Sequence, residues 1–431
     1  MPRWFVLALL ATPAVARAEP GHTLSAADVA NAPLPGDESG RTDPVTDDDT
    51  DARAVARAAL TVPRLGVEAV LTPVRSGLEL YDRYDVESGA GLTTSSGSMH
   101  LGFTANAAYV DDVGTSGLIG GGRLTAHDMF GEHEDASLQA VAGAGYYFSQ
   151  LYAAQVRSGE RFGKGLVLAL DGGYEVRPRD AFYGIGNTSS PAMRYSQDRA
   201  RLAASGDVRV TRSLYVRPSI AFAQHSFDVG APAGFMDSSS AYGELALRWD
   251  SRHPAGEWDL HWEMTGGTLA TAYAGRQHAL TGGGDFWRYG FDVAQLVPLG
   301  VGPRVLTFAL HGEAVGAGDV PIVDLPTLGG PLYLRGYALD RFRDRVAAAA
   351  TVEYRWDLTE WIAAHAFVDA GRVYGALDEL TASGMRTGYG IGVDIGRNTM
   401  RIDLASSVDG GLFVAAALNP VADLDVRARQ R

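Results

Sequence analysis

The chain has 431 residues, 37 basic and 51 acidic side chains, a net charge of −14 and no cysteine. That acidity argues against a nucleic-acid binder, whose phosphate contacts need a basic surface, and the missing thiols exclude a disulfide scaffold, a thiolate metal site and a cysteine nucleophile. After the opening residues no apolar run approaches the ~18 residues that a membrane-crossing helix requires, so a helical membrane protein is excluded too.

The chain opens MPRWFVLALLATPAVARAEP. Arg3 supplies a positive start, Trp4 to Val15 an apolar core and Ala16-Arg17-Ala18 a small-residue cleavage site, the pattern of an export signal over residues 1–18. Residues 19–62 are polar and proline-punctuated, peaking in Asp47-Asp48-Asp49-Thr50-Asp51. That run lacks the spaced ligands, glycine and closing glutamate of a calcium loop and reads as a solvated, disordered leader. In the lead-in segment 63–96, Val67, Leu71, Val74, Leu78 and Tyr81 recur at helical spacing between charged residues. Gly66, Pro73 and Gly77 weaken the pattern, and a packed lead-in is the plainer reading beside one that lies on a membrane or seals a barrel end.

From residue 97 to 420 the period changes to two. Ala200, Leu202, Ala204, Val208 and Val210 alternate with Gln197, Arg199, Arg201, Asp207 and Arg209. Trp258, Leu260 and Trp262 alternate with Glu257, Asp259 and His261, and Trp287, Tyr289 and Phe291 with Arg288 and Asp292. Val352, Tyr354 and Trp356 alternate with Thr351, Glu353, Arg355 and Asp357. A soluble sandwich also alternates. These strands, however, are longer than the globular average of ~5–6 residues, and their apolar faces carry tryptophan and tyrosine suited to a membrane interface. Sixteen are expected, at 97–110, 115–128, 135–147, 150–162, 164–178, 195–211, 213–227, 241–252, 257–273, 283–298, 303–316, 341–358, 362–375, 386–397, 399–409 and 412–420. The expectation is an all-β fold, a sixteen-stranded antiparallel transmembrane β-barrel followed by a tail at 421–431. Closure satisfies every backbone amide where lipid offers no partner. The 53 glycines, notably Gly120-Gly121-Gly122, Gly172-Gly173 and Gly282-Gly283-Gly284, ease the bends.

The connection from Ala317 to Asp340 is long and carries Leu332, Tyr333, Leu334, Tyr337 and Leu339, too apolar to hang in water. It contains Gly329-Gly330 and Leu334-Arg335-Gly336-Tyr337, followed by Arg341-Phe342. Val352-Glu353-Tyr354-Arg355 comes on the next strand and Phe367-Val368-Asp369-Ala370-Gly371 on the one after, while Phe182-Tyr183-Gly184-Ile185-Gly186-Asn187 stands earlier. In this order and spacing the set resembles the BamA/TamA-type outer-membrane barrels, the bacterial surface antigen family of assembly and translocation proteins. The resemblance implies that the loop enters the lumen and that Arg335 meets an acidic wall residue, Asp369, with Glu353 a second candidate. Independently, Glu353 shares the polar face of its strand, and Gly336 permits a tight approach. A bidentate guanidinium–carboxylate pair would fix the loop tip. Residues 19–96 leave no room for the periplasmic POTRA domains of family members with assembly or secretion roles, so substrate capture by such domains is not expected. The chain also does not finish on an aromatic residue, which leaves two readings: the last strand lies elsewhere or the assembly signal is internal.

No nucleophile elbow, P-loop or dinucleotide fingerprint is present. Glu132-His133-Glu134-Asp135 lies between two strands and reads as a hairpin turn, not a metal site. Neither a cofactor nor a catalytic residue is expected. The functional expectation is a bacterial outer-membrane assembly or translocation component, contacting lipid and a separate periplasmic or outer-membrane protein. The alternatives are a passive diffusion pore and, behind it, a lipid-modifying enzyme.

Overall fold

The computed structural model describes residues 91–93, 97–110, 115–144, 149–188, 192–228, 230–253, 266–299, 304–316, 318–359, 362–395 and 400–418. The export signal, the acidic leader, the helical pattern at 67–82, the alternation at 257–265 with His261, and the tail lie outside the described residues.

A three-residue strand, β1 (Gly91–Thr93), precedes β2 (Ser98–Val110), β3 (Thr115–His127), β4 (Asp135–Ala144), β5 (Gln150–Arg157), β6 (Leu166–Phe182) and β7 (Met193–Arg209). Then follow β8 (Leu214–Phe227), β9 (Ser238–Asp250), β10 (Gly267–Thr281), β11 (Phe286–Pro298) and β12 (Arg304–Val315). The short β13 (Thr327–Leu328) and β14 (Phe342–Arg343) pair with each other as a separate two-stranded hairpin, inside the connection from β12 to β15. The chain continues through β15 (Val346–Asp357), β16 (Ile362–Tyr374), β17 (Arg386–Ile395), β18 (Met400–Ser407) and β19 (Leu412–Leu418). From β2 to β12 and β15 to β19 each strand pairs antiparallel with the next, and β19 pairs back with β2. Sixteen strands thus close a barrel. Its terminal end holds the start of β2 and the end of β19; its loop end holds the β12–β15 connection.

Alternation separates two environments. Phe103, Leu118 and Ile220 point outward, 80%, 66% and 62% exposed, while the next residues Thr104, Ile119 and Ala221 are at most 6% exposed. The outer wall is an apolar band that water would disfavour and lipid accepts. The inner wall holds Glu175, Arg177, Gln197, Glu244, His311, Glu313 and Asp369, all buried. No helix among the described residues is long and apolar enough to cross a membrane.

Several strand ends differ from the sequence reading. The ninth barrel strand is β10 and runs to Thr281 instead of ending at 273, and the tenth begins at Phe286, not 283. Gly282 and Gly283, at φ 62° and 72°, make the turn between them. β5 stops at Arg157, short of 162, where Gly159 and Gly163 turn the chain at φ 57° and 96°. β6 continues past the expected end at 178 to Phe182, because a register shift between Arg177 and Asp180 absorbs Pro178, which has no N–H to donate. The twelfth barrel strand starts at Val346 rather than 341, since Phe342–Arg343 are taken by the hairpin inside the loop.

The joint between β2 and β19 is thin. It pairs six residues, from Phe413↔Val110 to Leu418↔Ala105, against thirteen between β2 and β3. Aromatic and β-branched residues pair at one end, Phe413↔Val110 and Val414↔Tyr109, but the centre sets Ala415 opposite Ala108 and Ala416 opposite Ala107, without the larger cross-strand pairs that add about 0.2–1 kcal/mol each. Beyond β19, β1 pairs with Ser98–His100 on the same edge of β2.

Candidate functional site

The β12–β15 connection folds into the lumen. At its base a 3-10 turn, Ile322–Asp324, is tied to the wall by Gln277 Nε2 donating to Asp324 Oδ2 at 2.8 Å and by Arg288 Nη2 donating to the Asp324 carbonyl at 2.6 Å. The β13–β14 hairpin forms the neck, closed by Thr327 Oγ1 donating to Asp340 at 2.6 Å. At the neck's inner end the N–H groups of Gly329 and Gly330 donate to the carbonyls of Tyr333 and Tyr337 at 2.9 and 3.0 Å.

Leu334, at φ 65°, reverses the tip in the left-handed region, which a bulky residue adopts at a cost. Burial offsets that cost: Leu334 is fully buried among Leu328, Tyr337, Phe342, Ala347, Ala349 and Val373. The reversal presents Arg335 to β16. Its Nε and Nη2 donate to Asp369 Oδ2 and Oδ1 at 2.8 and 2.9 Å, and its backbone N–H donates to Oδ2 at 2.9 Å. Nη1 donates to Glu353 Oε2 on β15 at 2.6 Å. Thr351 Oγ1 donates to Asp369 Oδ1 at 2.9 Å. The guanidinium lies 3.4 Å from the Phe367 ring centre, a stacked cation–π contact. Burial alone would discourage the charge on Arg335; the hydrogen bonds and charges of Asp369 and Glu353 outweigh it and push its pKa up.

Gly336, at φ 92°, lets the tip touch the wall: a Cβ there would stand 2.2 Å from the Ser406 carbonyl oxygen. Opposite it on β17, a Cβ on Gly388 would stand 1.7 Å from the Arg335 carbonyl oxygen. Tyr337 Oη donates to Asp409 Oδ2 at 2.9 Å in the β18–β19 turn, and burial together with that carboxylate pushes the phenol up to about 12. Gly371 faces Ala349 across the β15–β16 ladder and backs onto Leu328.

The Phe182–Asn187 segment lies at the loop end of β6. Phe182 packs edge-on against Phe235 at 5.1 Å. Tyr183 is buried with Ala338, Phe367, Ala405 and Phe413, and the Arg341 guanidinium sits 4.2 Å above its ring. Gly184 and Gly186 turn the chain at φ 93° and 92°. The Gly186 N–H donates to the Arg343 carbonyl at 2.8 Å, and Asn187 reaches Val373 at the loop end of β16.

The structure places Arg335, expected to meet an acidic wall residue, in contact with Asp369, Glu353 and Phe367 together. The sequence pattern does not single out the Thr351 and Asp409 hydrogen bonds, Gly388, or a second contact in which Tyr333 stacks on His311 at 3.9 Å and donates to Asp292 at 3.0 Å. The inward phase of alternation was the available signal for Thr351, Asp292 and His311. A cavity of about 260 Å³ remains between Tyr333, Arg335 and the wall residues Asp292, His311, Thr351 and Glu353. Among the described residues no group of three or more His, Asp or Glu side chains stands close enough to hold a metal ion.

Residues 265–408, from the start of β10 to just past β18, match the model of the Omp85 superfamily domain. About a third of the chain is thus similar to the Omp85 superfamily domain. The matched stretch contains the inserted loop and both strands that receive Arg335. Beyond it, the barrel fold resembles solved structures at low sequence identity. BamA from Haemophilus ducreyi lacking POTRA domains 1–3 aligns with a TM-score of 0.53 at 12% identity, over 74% of this chain and 70% of that one. CdiB from Acinetobacter baumannii aligns with a TM-score of 0.53 at 11% identity, over 74% of this chain and 60% of that one. CdiB from Escherichia coli gives 0.54 and 13%, over 73% and 62% respectively. The chain thus spans less than two thirds of either CdiB. No curated protein matches it in sequence.

Proposed function

We propose that the protein is a bacterial outer-membrane component of membrane assembly or translocation, with both barrel ends of the chain facing the periplasm. The observation that carries this reading is the buried Arg335–Asp369 anchor inside the stretch similar to the Omp85 superfamily domain, which holds a loop across the lumen where an open channel would run. The thin β2–β19 joint adds to it: a joint of few pairs with an alanine-only centre is where the wall opens most readily to an incoming strand. In this reading the protein acts non-enzymatically, in lipid, with a separate periplasmic or outer-membrane partner protein.

Single-channel recording from the refolded protein in planar bilayers tests the reading, with and without residues 325–340. A quiet full-length protein that becomes a large, steady pore on deletion is the expected result. Equal, steady conductance from both forms would instead favour a passive diffusion pore.

A further inference from the structure

The β6–β7 connection does more than join its strands. β6 and β16 stand eight strands apart in either direction around the sixteen-stranded wall, so a contact between the end of β6 and the end of β16 crosses the mouth. The segment Tyr183–Asn187 makes that crossing. It rests on the inserted loop at two points, Tyr183 beneath Arg341 and Gly186 bridged to Arg343. It then fastens to the far wall. Asn187 Nδ2 donates to the Val373 carbonyl at 2.6 Å, and the Val373 N–H donates to Asn187 Oδ1 at 3.1 Å. Pairing between β16 and β17 ends at Gly371↔Arg386, so Val373 has no strand residue on that side. The carboxamide of Asn187, with one donor and one acceptor in the geometry of a peptide group, takes its place. Arg386 Nη2 donates to the Asn187 carbonyl at 3.0 Å and completes the fastening.

We propose that this segment is a strap across the barrel mouth, latched by Asn187, and that the inserted loop leaves the lumen through the loop end only after the latch is released. The inference rests on the loop's position in the lumen and not on the assembly role. Arg335 holds the tip from within; the strap, stacked on Arg341 and bridged to Arg343, ties the outer part of the loop to the far wall through Asn187. Aspartate at 187 keeps the acceptor for the Val373 N–H and sets a carboxylate oxygen against the Val373 carbonyl, so it also undoes the latch. Because the chain has no cysteine, thiol chemistry reports on introduced positions alone.

The test compares wild type, Asn187→Ala, Asn187→Asp and the pair Asn187→Cys/Arg386→Cys in planar bilayers, with folding of each checked by heat-modifiable electrophoretic mobility. Arg386→Cys alone is the control for losing that guanidinium. Folded Asn187→Ala and Asn187→Asp are expected to show at least tenfold more frequent opening than wild type. Joining the two cysteines with a short thiol–thiol cross-linker is expected to return the opening frequency to the wild-type level. Wild-type opening in both single variants overturns the latch, as does a cross-linked pair that opens as often as the unlinked one. Should the single variants fail to fold, the cross-linked pair against its unlinked form decides alone. A barrel that conducts steadily in every form, deletion included, refutes the assembly reading and the strap together; a quiet barrel that ignores Asn187 refutes only the strap.

Discussion

Three nitrogens of Arg335, two from the guanidinium and one from the backbone, converge on the single carboxylate of Asp369 at 2.8–2.9 Å. A side chain held together with its own main chain cannot pivot on its anchor, so the contact sets the orientation of the loop tip as well as its depth. Lysine offers one point charge and could reproduce neither the fork nor the planar stack on Phe367.

Arg335→Ala leaves the buried Asp369 and the half-buried Glu353 without their cation, a loss of about 3–5 kcal/mol for a broken buried pair. The expected outcome is a lower melting temperature and more frequent channel opening, read by circular dichroism in detergent and by bilayer recording. Arg335→Lys should recover only part of either. Wild-type behaviour in Arg335→Ala would remove the anchor from the mechanism.

Asp369→Ala should resemble Arg335→Ala, and the double variant should be little worse than either. Contacting residues couple by about 0.5–3 kcal/mol, so a double-mutant cycle on stability is expected to show that coupling. Simple additivity would mean the two side chains act separately.

Glycine is required where the tip meets the wall. Gly388→Ala drives a methyl into the Arg335 carbonyl and Gly336→Ala one into the Ser406 carbonyl, the latter at a positive φ that itself costs about 1–3 kcal/mol for a side chain. Both variants are expected to raise opening frequency while keeping the barrel folded. Gly243→Ala, where a Cβ meets nothing within 4 Å, serves as the silent control.

The β2–β19 joint should be the first part of the wall to open. Hydrogen exchange in nanodiscs is expected to label amides at 105–110 and 413–418 faster than those of the β6–β7 ladder. The double variant Ala107→Ile/Ala416→Ile, placing β-branched side chains opposite each other, should add about 0.2–1 kcal/mol and slow that exchange. Uniform labelling around the barrel would mean the joint is no weaker than its neighbours.

Much of this was legible without coordinates. Successive side chains in a strand point to opposite faces whatever the strand pairs with, so a local rule read along the chain exposes an apolar outer wall and a charged inner one. Sixteen strands, a closed barrel and a buried loop followed from that rule, from the strand lengths and from the apolar residues at 332–339. Strand ends were less legible: at Gly282-Gly283 and at Pro178 the outcome turned on a backbone angle or a missing N–H, not on hydropathy.

What the sequence by itself determined, then, is which residues face inward and that Arg335, Asp369 and Glu353 are chemically matched. Only the tertiary structure decided that Arg335 serves both carboxylates at once, that Tyr337 finds Asp409, and that Asn187 meets Val373 from 186 positions away. The reason is physical. Alternation is set by neighbouring residues, whereas a contact across a lumen depends on how the whole sheet closes and staggers, and no single strand carries that information.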